Sequence, residues 1–301
     1  MVTFFTIPKS FCGRTDVIQS NAIQSWKHLH RDCEIILCGD DLGTAAAARK
    51  FGAMHIPRVS RNRYGTPLIS SAFRLADKEA SHRLLCYVNA DIILFPNLLA
   101  AIQSIPFHQF LMIGQRWDLD VHRPIQFECA EWENVIRKEI SERGVLHPPT
   151  GIDYFVFPHR LFLSLPPFAV GRPGWDNWMV YWARSKGIPV VDATRVATVV
   201  HQNHDYAHVR YATDSTTEGP EAVRNRELMG GWANMFDIKD ATHLLTRANS
   251  TCQASITLRR NWATLPVSIV RARKKIGYLS GAGLRAVKRR LASKQRGMCG
   301  F

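Results

Sequence analysis

Residues 84–95, Leu-Leu-Cys-Tyr-Val-Asn-Ala-Asp-Ile-Ile-Leu-Phe, form an apolar run with two polar side chains, Asn89 and Asp91, at its centre. This is the pattern of a strand buried on both faces of a parallel sheet, and such sheets carry helices on both sides. An ionised carboxylate within such a strand is costly unless it is paired or holds a metal. The strand is therefore expected to end near Val88, with Asn89, Ala90 and Asp91 turning out at the carboxyl edge, where open α/β sheets bind ligands. At i and i+2 the two side chains would face the same way and could share Mg²⁺ or Mn²⁺ with the phosphates of a substrate. The alternative is an Asp that caps the next helix.

The chain before this run alternates strands and helices. Residues 2–7 are β-branched and aromatic and stop at Pro8, and residues 16–29 place Val17, Ile18, Ala22, Ile23 and Trp26 at helical spacing. Residues 34–38 form a second buried strand ended by Gly39-Asp40-Asp41, and residues 44–51 an Ala-rich helix closed by Gly52. A short third strand over 54–59, a basic loop over 58–63 and a helix over 67–80 lead into the central run. This alternation indicates a mostly parallel, doubly wound α/β sheet, and 301 residues with 46% hydrophobic content suffice for one large core, or one core plus a tail. Where a dinucleotide fold needs G-x-G-x-x-G, the chain has Pro8-Lys9-Ser10-Phe11-Cys12-Gly13, and no G-x-x-x-x-G-K-S/T occurs. These absences argue against NAD, against methyl transfer through a glycine-rich loop and against P-loop chemistry.

Taken in order, these features resemble the nucleotide-sugar-dependent glycosyltransferases of the GT-A fold, in a family 2-like form. The resemblance covers about residues 1–210 and implies a GT-A-type, mostly parallel open sheet with helices on both faces. It also implies that the end of the first strand (Thr6, Pro8, Lys9) and the acid after the second (Asp40) hold the nucleoside. Asn89-Ala90-Asp91 takes the place of the family's D-x-D motif, which binds a divalent cation, Mn²⁺ or Mg²⁺, together with the diphosphate. Asn89 departs from the usual Asp, while Asp91 keeps the last carboxylate. Lys9, Arg63 and Arg74 are the nearest basic candidates for phosphate contacts, each by default a solvated surface charge.

The second half adds separate signals. A strand is expected over 110–114, followed by Gln115-Arg116-Trp117-Asp118, then a helix over 128–143 closed by Gly144 and an aromatic strand entered through Asp153. Asp153 reads first as a structural hydrogen-bonding group and second as one that orients a sugar. A loop with two Gly and a Pro delivers Trp175 and Asp176 to a helix over 177–186, where an Asp is a good cap. Trp175 and Trp178 could also offer flat faces to a sugar acceptor, and the resemblance implies that Asp176 is the acceptor-activating base of an inverting enzyme. Short strands over 190–191 and 196–200 precede His201, His204 and His208. No Cys or His pair stands at zinc spacing. His201, nearest the strand end, is the preferred third ligand beside Asp91 and Asn89, with His204 and His208 weaker.

The implied reaction is displacement at the anomeric carbon of a nucleotide-diphosphate sugar by the hydroxyl of a glycan or lipid-linked acceptor. Two rivals stand beside it: a sugar-phosphate nucleotidyltransferase, which would want a glycine-rich basic loop after the first strand, and a non-catalytic carbohydrate- or nucleotide-binding protein, which Asn89 keeps in play.

The net charge of +14 is uneven. All 25 Asp and Glu precede residue 241, against 26 of the 39 Lys and Arg, so the basic excess belongs to residues 241–301. The expected division is thus a transferase domain over 1–240 and a basic tail over 241–301. In the tail, Leu284, Val287 and Leu291 with Arg285, Lys288, Arg289 and Arg290 give the pattern of a short basic helix for an anionic membrane surface, against disorder as the competing reading. Specific nucleic-acid recognition is not expected, since no recognition motif is present. Seven scattered Cys without a C-x-x-C pair, a start without the features of a secretory signal, and no apolar run of membrane-span length point to a cytoplasmic protein, with contact to the inner face of the membrane through the tail.

Overall fold

A computed structural model describes residues 1–204, 219–247, 254–258 and 265–278. In chain order the elements are β1 (Val2–Thr6), α1 (Gly13–Leu29), β2 (Glu34–Cys38), α2 (Thr44–Phe51), β3 (Met54–Ile56), α3 (Ile69–Glu79), β4 (Leu84–Val88), β5 (Ile92–Leu94), α4 (Asn97–Gln103), β6 (Leu111–Ile113), β7 (Trp117–Leu119), α5 (Trp132–Arg143), β8 (Val145–Leu146), β9 (Tyr154–Pro158), α6 (Trp175–Ser185), β10 (Val190–Asp192), β11 (Val199–Gln202), α7 (Pro220–Met229), β12 (His243–Arg247), β13 (Ala254–Leu258) and α8, residues 267–278.

Among the described residues the main sheet runs β13-β12-β10-β6-β9-β4-β1-β2-β3. Strands β4, β1, β2 and β3 pair in parallel, as do β6, β10 and β12, while β9 lies antiparallel between β4 and β6. The carboxyl ends of β1, β2 and β4 therefore share one edge. Alternating side chains feed the two faces: Phe5 packs with Phe73, Tyr87 and Phe157 under α3 and α6, whereas Phe4 lies with Trp26, Leu37 and Leu98 under α1, α2 and α4. The mostly parallel sheet with helices on both faces is thus present as expected.

The central run divides as anticipated at Val88, but its second half does not simply leave the sheet. Residues 92–94 become β5 of a separate four-stranded sheet, β5-β11-β7-β8, whose apolar side (Ile93, Phe95, Leu119, Val200) packs with Ile136 of α5. The turn between is closed by the Asn89 amide donating to the Asp153 carbonyl (2.9 Å) and the Ile92 amide to the Asn89 carbonyl (3.1 Å). Asp91 therefore sits in the seam between two sheets.

Beyond residue 240 the described residues continue into the main sheet. β12 pairs in parallel with β10 (Val191 with His243, Asp192 with Leu244), Leu245 is fully buried, and β13 extends the sheet further. Helix α8 is also seated on the body: Val270 is buried, the Arg184 guanidinium donates to the Leu265 carbonyl (3.1 Å), and Lys274 pairs with Asp240 at 2.7 Å. Sequence charge marked where acids stop, and backbone pairing ignores charge. The segment singled out around residues 284–291 lies outside the described residues.

A chain ended after Asp240 loses the buried Leu245 and Val270, about 3–6 kcal/mol of apolar burial, and its Tm is expected to fall on the order of 10 °C. A chain ended after Tyr278 keeps both and is expected to melt close to the full-length protein in the same calorimetric scan.

Candidate functional site

Asp91 and His201 are brought together by strand register. In the second sheet, β11 lies antiparallel to β5, placing His201 opposite Ile92, and parallel to β7, placing His201 beside Asp118. His201 is thus inside a strand and not just after one. Its Nε2 lies 3.6 Å from Asp91 Oδ2, and His204 Nε2 lies 2.9 Å from the same oxygen. Gln202 closes the back of the turn, its main-chain amide and side-chain Nε2 both donating to the Asp91 carbonyl at 3.2 Å.

One atom each from Asp91, His201 and His204 lie within 4.8 Å of one another. Asp91 Oδ1 is buried with no hydrogen-bond partner. A buried, charged acceptor without a partner is costly, and a cation relieves that cost. Burial alone would raise the Asp91 pKa, but hydrogen bonding first to His201 and then to His204 outweighs it and holds the carboxyl well below its usual range. A divalent cation therefore fits these three groups. Two imidazoles and one carboxylate suit Mn²⁺ better than Mg²⁺, which prefers oxygen ligands.

Asn89 is held by a hydrogen bond of its own. Its Nδ2 donates to Asp153 Oδ1 at 2.7 Å, and the other carboxylate oxygen of Asp153 is paired with the buried guanidinium of Arg116. The Asn89 side chain is thus anchored through its Nδ2 by Asp153, while Asp91 faces two histidines. An Asp at position 89 would face that carboxylate directly. Asp153 acts here as the structural hydrogen-bonding group, anchoring the turn.

Arg116 also reaches Asp118, Nε to Oδ1 at 2.9 Å, and Asp118 in turn meets His147 Nδ1 at 2.6 Å and lies 3.4 Å from His201 Nδ1. Sequence reasoning noted Gln115-Arg116-Trp117-Asp118 without assigning it a place. The available signal was the i, i+2 alternation of charge in a short strand, which puts Arg116 and Asp118 on one face.

At the other end of the site, Gly174 (φ 103°) begins α6 two residues earlier than expected. A side chain there would meet Met229 Sδ at 3.3 Å. Asp176 is consequently not the cap but lies in the first turn, with Oδ1 buried and unpartnered. Burial pushes its pKa up to about 7; the backbone amide of Asn177 opposes this and the nearby Asp153 carboxylate adds to it. The flanking rings are not open platforms. Trp175 is 6% exposed, edge-on to Tyr87 and against Phe155, and Trp178 is 8% exposed against Phe168 and Trp182. Their stacking role toward an acceptor is replaced by a core role, since the helix starts earlier and turns both rings inward.

The nucleoside candidates lie along the carboxyl edge of β1 and β2. Thr6 is buried with its hydroxyl unpartnered, Pro8 is buried, and the Lys9 backbone is clamped by Gln19 (2.7 and 2.9 Å). Asp40 is exposed and held below the usual carboxylate range by Arg61, whose Nη2 is 2.5 Å away. Arg74 is exposed on α3, its Nε donating to the Ser70 carbonyl at 3.2 Å. Arg63 stacks on Tyr64 (4.9 Å) at the wall of a cavity of about 700 Å³ between this loop and α7. His208 lies outside the described residues.

No protein-family model matches the chain, and no match is found among curated proteins. Solved structures do resemble it. The mannosyltransferase PcManGT from Pyrobaculum calidifontis, in complex with GDP-Man and Mn²⁺, is 15% identical with a TM-score of 0.43, over 68% of this chain and 57% of its own length, so the chain spans less than two thirds of it. Glucosyl-3-phosphoglycerate synthase from Mycobacterium tuberculosis, in complex with Mn²⁺, UDP and glucosyl-3-phosphoglycerate, is 14% identical with a TM-score of 0.44, over 86% of each chain. A further mycobacterial protein is 13% identical, TM-score 0.46, over 85% of this chain and 82% of that one. With identities and scores this low, the chemistry below rests on the residues of this chain alone.

Asp91→Ala and His204→Ala are each expected to weaken Mn²⁺ binding by roughly 100-fold or more, since loss of an outer-sphere partner alone costs 10- to 100-fold, with the fold retained by circular dichroism. Asn89→Asp is expected to lower Tm at neutral pH without tightening Mn²⁺ binding, because it sets a second carboxylate against Asp153. Paramagnetic resonance of free Mn²⁺ and a thermal melt check both.

Proposed function

We propose that this chain is a glycosyltransferase that moves a sugar from a nucleotide-diphosphate donor to a hydroxyl acceptor, with inversion at the anomeric carbon. The observation that carries the reading is the convergence of Asp91, His201 and His204 at the edge where β1, β2 and β4 end. These three residues would hold a divalent cation, Mn²⁺ in preference to Mg²⁺, which when bound supplies Lewis-acid neutralisation of the departing diphosphate. Thr6, Pro8, Lys9 and Asp40 line the neighbouring strand ends and would receive the nucleoside. Lys9, Arg63 and Arg74 remain the candidate phosphate contacts.

Asp176 would take the proton from the acceptor hydroxyl. A general base works best with a pKa near the working pH, and the burial of Asp176 supplies that value. Asp153 has two effects here: it locks Asn89 and Arg116, and its negative charge helps to keep Asp176 basic. The acceptor would be a glycan or lipid-linked hydroxyl, and the setting cytoplasmic; no helix among the described residues is long and apolar enough to cross a membrane. The non-catalytic reading drew its support from Asn89, and the Asp153 hydrogen bond gives that Asn a structural reason. The glycine-rich basic loop that a nucleotidyltransferase would want after β1 is missing from this sequence.

Turnover should rise with pH through an apparent pKa near 7 as Asp176 loses its proton. Asp176→Asn is expected to remove this dependence and cut kcat by a factor on the order of 10²–10⁴, with donor KM little changed. Because the native pKa lies above the unfolded value of 3.8, Asp176 weakens the fold as pH rises from about 4 through 7. The Asn variant should therefore melt no lower, and at pH 8 higher, than the parent. Turnover of a nucleotide-sugar panel with Mn²⁺, unaffected by Asp176→Asn, would exclude the base assignment.

A further inference from the structure

Helix α8 has one face bound to the protein and an opposite face whose two isoleucines are exposed. The bound face carries Val270, Lys274 and Val267, and Arg271 beside them lies over the Tyr181 ring at 5.6 Å. On a helix, 100° per residue puts Ile269, Ala272 and Ile276 on the far side, at i, i+3 and i+7. Ile269 is 51% and Ile276 68% exposed, and Ala272 is exposed between them. Arg273 borders this stripe on one side and Lys275 on the other, both exposed. No acidic residue occurs anywhere after Asp240, and residues 279–301 add six Lys and Arg immediately beyond the helix.

We propose that the outward face of α8 is a docking surface for an anionic phospholipid bilayer. The stripe of two isoleucines is too narrow for a stable protein interface but suits shallow insertion at the headgroup boundary, with the flanking cations against lipid phosphates. Apolar burial and charge act together there, since Lys and Arg near an anionic leaflet are attracted to it. Since Lys274 ties the helix to Asp240 and Tyr278 stacks on Trp232 (5.3 Å), docking through α8 would hold the folded body at a fixed orientation on the surface. This goes beyond the transferase reading, and does not depend on it.

The test is sedimentation of the full-length chain with vesicles of phosphatidylglycerol and phosphatidylcholine, or of phosphatidylcholine alone, at rising salt and without any donor. Binding to the anionic vesicles at low salt, reduced on the order of tenfold by Ile269→Ser with Ile276→Ser, is expected. Both isoleucines are exposed, so the double variant should melt like the parent. Arg273→Gln with Lys275→Gln should also weaken binding and leave less of it to be lost as salt rises. If the isoleucine variant binds as well as the parent, the helix face is not the docking surface and the basic residues beyond 278 act alone. If the full chain ignores anionic vesicles, or if the isoleucine variant only converts a dimer to a monomer, the proposal fails; either result leaves the Asp176 and Mn²⁺ measurements untouched.

Discussion

The arrangement depends on a buried ion pair at the junction of two sheets. Arg116 comes from the segment entering the second sheet, Asp153 from the segment entering β9 of the first, and Asn89 from the end of β4, and all three meet through the Asp153 carboxylate. Two charges removed from water gain little or nothing net over apolar residues of the same shape, but removing one partner leaves the other unpaired and costs about 3–5 kcal/mol. That asymmetry makes the pair a constraint on position. With Asp153 satisfied on both oxygens, the turn at Asn89 has one arrangement, and Asp91 two residues on has one direction in which to point.

The candidate site lies within reach of that constraint. Asp118 shares Arg116 with Asp153 and stands beside His201 Nδ1, so the imidazole that faces Asp91 with its other nitrogen is bordered from behind by a carboxylate. On the opposite side, Asp153's charge contributes to the raised pKa of Asp176. The same edge of the sheet thus holds a depressed acid, Asp91, paired with two histidines, and an elevated one, Asp176, raised by burial and by Asp153. Pairs of carboxylates with pKa values pushed apart are the pattern expected where one group binds charge and another moves a proton.

The peripheral elements relate to this centre differently. Arg61 pairs with Asp40 just beyond the carboxyl end of β2, and the same loop walls the cavity against α7. The carboxyl end of α7 supplies Met229, whose sulfur sits under Gly174, the residue that sets where α6 begins and so where Asp176 stands. The added strands β12 and β13 and helix α8 buttress the far side of the sheet through Asp240 and Arg184.

The chain's own pattern determined the parallel sheet, its helices on both faces, the boundaries of β2 and α2, the end of β4, and the exit of Asn89 and Asp91 from the strand at Val88. These follow from local periodicity and from the cost of burying a carboxylate, which any reader of the residues can apply. It also singled out Asp91, His201 and Asp176 by type and position. Pairing decided the rest. How Asn89 is anchored depends on Asp153, 64 residues away; whether Trp175 is a platform or a core ring depends on Tyr87; and whether residues 243–247 belong to a tail depends on the free edge of β10. Those outcomes are contacts between distant segments, and a side chain's neighbours across a sheet carry no trace in its own local sequence.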